Sequence, residues 1–109
     1  MQCPPELQEL LKTLYNLSPQ ESELLTVLCE QEATVAQLAD DLDRDRSTVQ
    51  RYLDSLRTAG LIDRKSTPGK GGKGRTYIYM VRDRDDLKAQ IRARLDEWVE
   101  ERVQTLQVI

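Results

Sequence analysis

The stretch from Asp45 to Gly60 places the strongest constraint on how this chain can fold. Val49, Leu53 and Leu56 recur at spacings of four and three, so they line one side of a helix. The first two turns of that helix carry polar and basic residues on the opposite side. Gly60 suits the left-handed conformation just past a helix end. The stretch therefore predicts an amphipathic helix that packs on a core and exposes a basic face.

Capping signals define two helices before this one. The run Ser18-Pro19-Gln20-Glu21 has the pattern of a capping box, and it predicts a helix from about Pro19 to Gln31. Thr34 can cap a short helix that ends at Leu42. A turn of about three or four residues then leads to Asp45, which can cap the next helix. A short helix, a tight turn and a longer helix form a helix-turn-helix.

After Gly60 the pattern changes from helical to extended. Residues 61–66 and 75–81 are predicted strands, and the second is rich in β-branched and aromatic side chains. The segment 67–74 between them contains four of the five glycines and two lysines. These features predict a β-hairpin, or wing, with a long basic tip.

Two further amphipathic helices are predicted at the ends of the chain. Leucines spaced by three and four follow Pro4-Pro5, and their stripe could cap the domain's own core or pack on a second subunit. From Asp83 the chain is helical to near its end. A helix this long projects beyond one small core, so we expect a partner subunit to cover it. The predicted dimer contacts are Leu7, Leu11, Leu14, Leu87, Ile91, Leu95, Trp98 and Val99.

The predicted architecture is mainly α-helical with a small β-hairpin, a winged helix-turn-helix with dimerisation helices at both ends. The chain has 109 residues, which is the length of one domain. Four tyrosines, one tryptophan and no phenylalanine leave most of the burial to leucine packing. We divide the chain into an N-terminal helix, a winged helix-turn-helix and a C-terminal dimerisation helix, which span residues 1–17, 18–82 and 83–109.

The net charge of −3 conceals an uneven distribution along the chain. Residues 1–42 carry one Lys against eight acidic residues, a net charge of −7. Residues 43–75 carry nine basic and four acidic residues, a net charge of +5, and residues 76–109 carry −1. Binding is governed by such local fields more than by net charge, so the positive third predicts a nucleic-acid partner.

A helix with its first turns exposed fits the major groove of double-stranded DNA, and a hairpin beside it can contact the backbone or minor groove. We therefore predict a recognition helix at residues 46–59 and a basic wing at residues 67–75. Arginine can donate two hydrogen bonds to guanine, glutamine can read adenine, and hydroxyls can bond phosphates. A solvated surface charge is the alternative for each residue. The predicted DNA contacts are Arg44, Arg46, Ser47, Thr48, Gln50, Arg51, Lys70, Lys73 and Arg75.

Other classes of function find little support in the sequence. Histidine is absent, and Cys3 and Cys29 lack the spacing of metal ligands, so we predict neither a metal site nor a cofactor. No nucleophile has a base nearby, which argues against an enzyme. No apolar run approaches the roughly 20 residues of a membrane span. We expect a cytoplasmic protein that does not bind membranes.

Three segments carry a resemblance to known regulators: Leu17–Glu21, Ala33–Ala39 and Ser47–Ile62. They resemble the amino-terminal domain of archaeal TrmB-type regulators, and more loosely the MarR and ArsR groups of winged-helix repressors. The resemblance implies a homodimeric transcription regulator of archaeal or bacterial type, with helices from both chain ends at the dimer contact. The larger TrmB-type proteins carry a sugar-binding domain for which residues after 109 would be needed, so the effector is left open. The glycine usual in the helix-turn-helix turn is replaced by Asp43-Arg44.

Two alternatives remain open at this point. The winged helix could serve as a protein-interaction module that binds a partner protein through its long C-terminal helix. Cys3 and Cys29 could sense redox state, although neither has a basic neighbour in sequence to lower its pKa.

Overall fold

Helices α1 to α4 precede a two-stranded hairpin, and one long helix follows it. The computed structural model describes residues 3–69 and 74–109. Within these ranges the elements are α1 Pro5–Tyr15, α2 Pro19–Glu30, α3 Val35–Leu42, α4 Arg46–Thr58, β1 Asp63–Pro68, β2 Arg75–Met80 and α5 Arg84–Thr105, followed by a 3-10 turn, Leu106–Val108. The predicted fold class is confirmed.

Capping boxes fix the starts of α2 and α3. The backbone N–H of Glu21 donates to Ser18 Oγ at 3.2 Å, and the backbone N–H of Ser18 donates to Glu21 Oε1 at 2.8 Å. Thr34 and Gln37 exchange the same pair of bonds at the start of α3. Each box satisfies two backbone groups that a helix terminus would otherwise leave unpaired. The sequence predicted the first box and the Thr34 cap.

The turn between α3 and α4 depends on a left-handed residue that is not glycine. Asp43 has φ +52°, and the following backbone N–H, that of Arg44, donates to Ala39 O at 3.0 Å. Aspartate visits this conformation more readily than most residues because its short polar side chain can bond locally. Asp43 therefore supplies the geometry for which a glycine is usual.

The core lies where α2, α3 and α4 meet beneath α1 and the wing. Val49, Leu53 and Leu56 of α4 are fully buried, which confirms the stripe predicted for this helix. Leu61 and Ile62 continue into the core after Gly60, whose φ is +76°. Other core side chains are Leu11, Leu17, Leu24, Leu25, Leu28, Leu38, Tyr79 and Leu87.

The wing pairs β1 with β2 in an antiparallel register that places Arg64 opposite Tyr79. Ala33, between α2 and α3, adds a third short segment: its N–H donates to Tyr79 O at 3.0 Å and its C=O accepts from Tyr79 N at 2.8 Å. The predicted first strand began two residues too early, because residues 61 and 62 enter the core before the strand starts. The predicted wing tip falls partly outside the described residues, at positions 70–73.

Helix α5 begins against the core and then extends away from it. Asp83 caps its first turn, and Gln90 Nε2 donates to Gly60 O at 2.9 Å. Leu87 is buried in the core and Ile91 packs on its edge. The molecule measures 64 × 24 × 21 Å, so the second half of α5 accounts for much of its length.

Candidate nucleic-acid interface

The predicted recognition residues gather at the N-terminal end of α4. Arg46, Ser47 and Arg51 are exposed there, and Arg44 is exposed in the preceding turn. Thr48 and Gln50 are half-buried on the same end of the helix. Because Val49 anchors these turns in the core, the cationic side chains are held on a rigid element that faces solvent.

The carboxylate of Asp45 lies at the tip of this helix and organises its polar side chains. It accepts hydrogen bonds from the Ser47 hydroxyl, from the Thr48 hydroxyl at 2.6 Å and from the Thr48 backbone N–H at 3.4 Å. The bonds from Ser47 and Thr48 stabilise the charged form and lower the pKa of Asp45 to about 2. A DNA phosphate accepts hydrogen bonds, as the Asp45 carboxylate does. The Ser47 and Thr48 hydroxyls would therefore have to leave Asp45 in order to donate to a phosphate.

One face of the wing turns toward α4. Side chains alternate along β2, so Arg75, Tyr77 and Tyr79 share a face with Arg64 and Ser66 of β1. An open groove runs between this face and the recognition helix. The groove is lined by Thr34, Val35, Ala36, Arg46, Gln50, Arg75, Thr76, Tyr77 and Tyr79.

Tyr79 joins the recognition helix to the wing. Its ring is only 1% exposed, and its hydroxyl oxygen accepts from Gln50 Nε2 at 3.1 Å and from Arg64 Nη1 at 3.4 Å. The Arg64 guanidinium also lies 3.9 Å from the centre of the Tyr77 ring, a cation–π contact. The bond to Tyr79 is the main cause of a raised Arg64 pKa. These contacts fix the wing relative to α4.

The amide of Gln50 is oriented by its neighbours. Its Nε2 also donates to Asp54 Oδ1 at 3.0 Å, and since a carboxylate only accepts, the nitrogen must face Asp54. Reading adenine with two bonds uses both the oxygen and the nitrogen of the glutamine amide. In this arrangement the predicted adenine contact would require Nε2 to leave Asp54 and Tyr79.

The remaining basic residues in and near the wing have different bonding partners. Arg75 is exposed, and its Nη1 donates to Ser66 Oγ at 2.9 Å. Lys65 forms an ion pair with Glu32 at 3.4 Å on the opposite face. Lys70 and Lys73, the predicted cations of the wing tip, lie outside the described residues.

Sequence reasoning did not single out Tyr79, Asp54 or Arg64 as a connected group. Part of the signal was present, because Tyr77 and Tyr79 alternate on a predicted strand and must therefore share one face. The bond from Gln50 to Asp54 joins residues four apart on α4, a spacing that places side chains on one face of a helix. The register that sets Arg64 opposite Tyr79 depends on tertiary packing.

The predicted dimer residues fall into three groups by burial. Leu11, Leu14 and Leu87 are covered by the protomer's own helices. Leu7, Ile91, Leu95 and Trp98 are half-buried. Val99 is 46% exposed, Val103, farther along α5, is 50% exposed, and Leu106, in the 3-10 turn after α5, is 61% exposed.

The two cysteines are free and have raised pKa values. Cys3 is buried, and its thiol pKa is raised first by that burial and then by Glu23. Burial also raises the pKa of Cys29, which is half-buried beside the core. A raised pKa lowers the fraction of reactive thiolate at neutral pH. Across residues 3–69 and 74–109, no three His, Cys, Asp or Glu side chains group as metal ligands would.

A three-helix core with a hairpin behind a solvent-facing helix defines the class of winged helix-turn-helix proteins. Residues 15–71 match the model of the MarR family, and this chain belongs to that family. MarR is one of the two groups to which the sequence showed its looser resemblance. An uncharacterized protein of Methanocaldococcus jannaschii is 34% identical over 93 residues, which cover 84% of this chain and 76% of that protein. None of the helices in the described part of the chain could cross a membrane.

Solved structures share the architecture at low sequence identity. A possible transcriptional regulator from Methanosarcina mazei has a TM-score of 0.80 at 22% identity, covering 91% of this chain and 84% of its own. A protein from Sulfolobus tokodaii has a TM-score of 0.77 at 20% identity, and the match covers 93% of this chain and 95% of that protein's chain. The transcriptional regulator BldR from Sulfolobus solfataricus has a TM-score of 0.58 at 23% identity, and the match covers 91% of this chain and 70% of the BldR chain. These likenesses establish the fold.

Proposed function

We propose that this protein is a sequence-specific, double-stranded DNA-binding transcription regulator. The observation that carries the proposal is the placement of Arg46 and Arg51 on the exposed first turns of α4, with Arg75 of the wing lining one groove together with Arg46. Base edges are reached from the start of a recognition helix, and backbone contacts from the element beside it. Membership of the MarR family supports the same function.

The residues have distinct proposed roles. Arg46 and Arg51 bind guanine or phosphate in the major groove, and Arg44 holds the adjacent backbone. Ser47 and Thr48 bond phosphates once they leave Asp45. The cations of the wing, Lys70, Lys73 and Arg75, add affinity on the backbone or minor groove with little sequence preference.

The proposed active form is a homodimer built from α1 and α5, and its relation to TrmB-type regulators is part of this proposal. A dimer matches a two-fold symmetric operator, because each protomer presents one recognition helix to one half-site. Exposed apolar side chains on the second half of α5 and in the turn that follows it support a second protein chain as their cover; they are Val99, Val103 and Leu106.

The test compares two arginines on the same helix. Operator fragments are first selected from genomic DNA, and binding is then measured for Arg51→Ala and for the control Arg57→Ala. Arg51 lies in the second turn and Arg57 in the last turn of α4. Losing a base contact should weaken specific binding by ~1–3 kcal/mol for Arg51→Ala, whereas Arg57→Ala should have little effect.

A second measurement distinguishes contacts with DNA bases from charge interactions with the phosphate backbone. Arg75→Ala should weaken binding to all duplexes alike and reduce the dependence of log K on log salt by about one unit. Equal losses for Arg51→Ala and Arg57→Ala, or no preference among duplexes at low salt, would contradict the proposal.

A further inference from the structure

Three polar residues form a row along the side of α4 that faces the wing. Arg46, Gln50 and Asp54 are spaced by four, so they lie one above another on one face of the helix. Arg46 and Gln50 line the groove between α4 and the wing. Asp54 lies one turn farther from the start of the helix. Gln50 is therefore placed between an arginine and a carboxylate.

Both N–H groups of the Gln50 amide are engaged within the protein. Its Nε2 donates to Asp54 Oδ1 at 3.0 Å and to the Tyr79 hydroxyl oxygen at 3.1 Å. A glutamine amide has two N–H donors and one carbonyl oxygen that accepts. Gln50 Oε1 receives no hydrogen bond from the described residues. The carbonyl oxygen is thus the part of this amide that can bond a ligand.

The surroundings of Gln50 hold the amide in this orientation. Asp54 only accepts, so turning the amide over would set Oε1 against a carboxylate. Tyr79 is 1% exposed, and its hydroxyl oxygen also accepts from Arg64 Nη1 at 3.4 Å. The Arg64 guanidinium in turn lies 3.9 Å from the centre of the Tyr77 ring. The two acceptors that bind Nε2 are therefore fixed by the helix and by the wing.

We propose that Gln50 reads the exocyclic amino group of one base in the major groove through Oε1 alone, with Asp54 and Tyr79 as positioning residues. Cytosine N4 and adenine N6 are donors in that groove, whereas guanine O6 and thymine O4 are acceptors. Gln50 then favours cytosine or adenine over guanine or thymine at one position of one strand. This inference rests on the proposed function, and it differs from a two-bond contact with adenine because adenine N7 finds no donor.

The test first locates the base that Gln50 contacts. Each base pair of the selected operator is changed in turn, and binding is compared between the wild type and Gln50→Ala. At one position the wild type should prefer cytosine or adenine over guanine or thymine on the order of fivefold, the effect of one hydrogen bond, and Gln50→Ala should lose that preference.

Base analogues then show which atom of the base is read, and they leave the protein unchanged. Purine in place of adenine, or pyrimidin-2-one in place of cytosine, removes the amino group. This change should weaken binding of the wild type about fivefold more than binding of Gln50→Ala. If the base is adenine, 7-deazaadenine keeps the amino group and removes N7, and it should leave the binding of both proteins unchanged.

The role of Asp54 is tested by Asp54→Asn. Asparagine can donate as well as accept, so the Gln50 amide is free to turn over. The preference against guanine and thymine at this position should fall to that of Gln50→Ala. Asp41→Asn, at an exposed position of α3, removes the same charge and should keep the preference. Because the preference is a ratio of affinities, a general gain in affinity from the lost charge cancels.

The outcomes separate this inference from the proposed function. Weaker binding to 7-deazaadenine, an equal effect of amino-group removal on both proteins, no position that depends on Gln50, or an unchanged preference in Asp54→Asn would overturn the inference while operator binding persists. Absence of any preferred duplex would contradict the proposed function and the inference together.

Discussion

Asp45 combines two effects at the tip of α4 that oppose each other. Its carboxylate accepts from the Thr48 backbone and from the Ser47 and Thr48 hydroxyls, which stabilises the helix start. The same negative charge lies beside Arg44 and Arg46, where DNA phosphates are expected. Under the proposed function, DNA binding would require the Ser47 and Thr48 hydroxyls to leave Asp45, and the free-energy cost of that exchange would be the same on non-specific duplexes as on an operator.

Replacing Asp45 should reveal its role through pH. The pKa of Asp45 in the folded protein, about 2, is below its ordinary value of 3.8, so the stabilisation by its carboxylate is complete above pH 3.8 and is lost as the pH falls through 2. Asp45→Ala should lower the melting temperature at pH 7, and its difference from the wild type should narrow below about pH 4. Asp45→Ser keeps a capping oxygen and serves as the control. A difference that does not change with pH would show that the carboxylate charge is unimportant.

Ser22 is a buried hydroxyl in α2 that should reduce stability. It is fully buried, and its Oγ finds no hydrogen-bond partner among the described residues. Removing an unsatisfied polar group lifts its desolvation penalty, so Ser22→Ala should raise the free energy of unfolding by about 1 kcal/mol. Ser18→Ala removes the capping box on the same helix and should lower it by about 1 kcal/mol. Urea titration of both variants measures whether the free energy of unfolding rises for Ser22→Ala and falls for Ser18→Ala.

The wing and the recognition helix are held together by Tyr79, a residue of β2 whose hydroxyl bonds both α4 and β1. Its backbone pairs with Ala33 and its hydroxyl reaches Gln50 and Arg64. A buried ring with a bonded hydroxyl holds its position better than a surface contact. The distance between α4 and β2, and with it the width of the groove, is set by this side chain.

Tyr79→Phe should loosen that unit while keeping the ring. Two hydrogen bonds are lost, so the free energy of unfolding should fall by about 1 kcal/mol, and binding to the selected operator should weaken more than binding to random duplex. Tyr77→Phe, which keeps the ring beneath Arg64, is the control and should have little effect. Equal weakening on operator and random DNA would argue that Tyr79 contributes stability alone.

At the scale of the whole molecule, charge and apolar surface are separated in space. The net charge of +5 over residues 43–75 is carried by α4, the wing and their connections, whereas exposed apolar side chains concentrate on the second half of α5. Under the proposed function, separate surfaces would allow DNA and a partner chain to bind at the same time. The proposed dimer would then fix the spacing of two recognition helices without occupying either one.

Dimerisation should make thermal stability depend on concentration. Association stabilises only the folded chain, so the melting temperature should rise by a few degrees between about 2 and about 200 μM protein. Val99→Glu with Val103→Glu places charges on the proposed contact and should remove that dependence. Differential scanning calorimetry at several concentrations measures both, and an unchanged melting temperature for the wild type would contradict the dimer.

The sequence alone determined the order of the elements and the starts of the helices. Capping residues such as Ser18, Thr34 and Asp45 act on their own helices through bonds three residues away, so local chemistry suffices to locate them. The stripe Val49, Leu53 and Leu56 was equally readable, because helical periodicity fixes which side of a segment is buried.

Only the tertiary structure decided how distant groups meet. The strand that starts at Asp63, two residues after the predicted position, depends on Leu61 and Ile62 finding space in the core, which no local rule specifies. The hydrogen bond from Gln50 Nε2 to the Tyr79 hydroxyl, which joins α4 to β2, likewise depends on how these two elements pack. Side-chain partners that are distant in sequence come together through packing of whole elements, and their pairing is therefore a property of the folded chain.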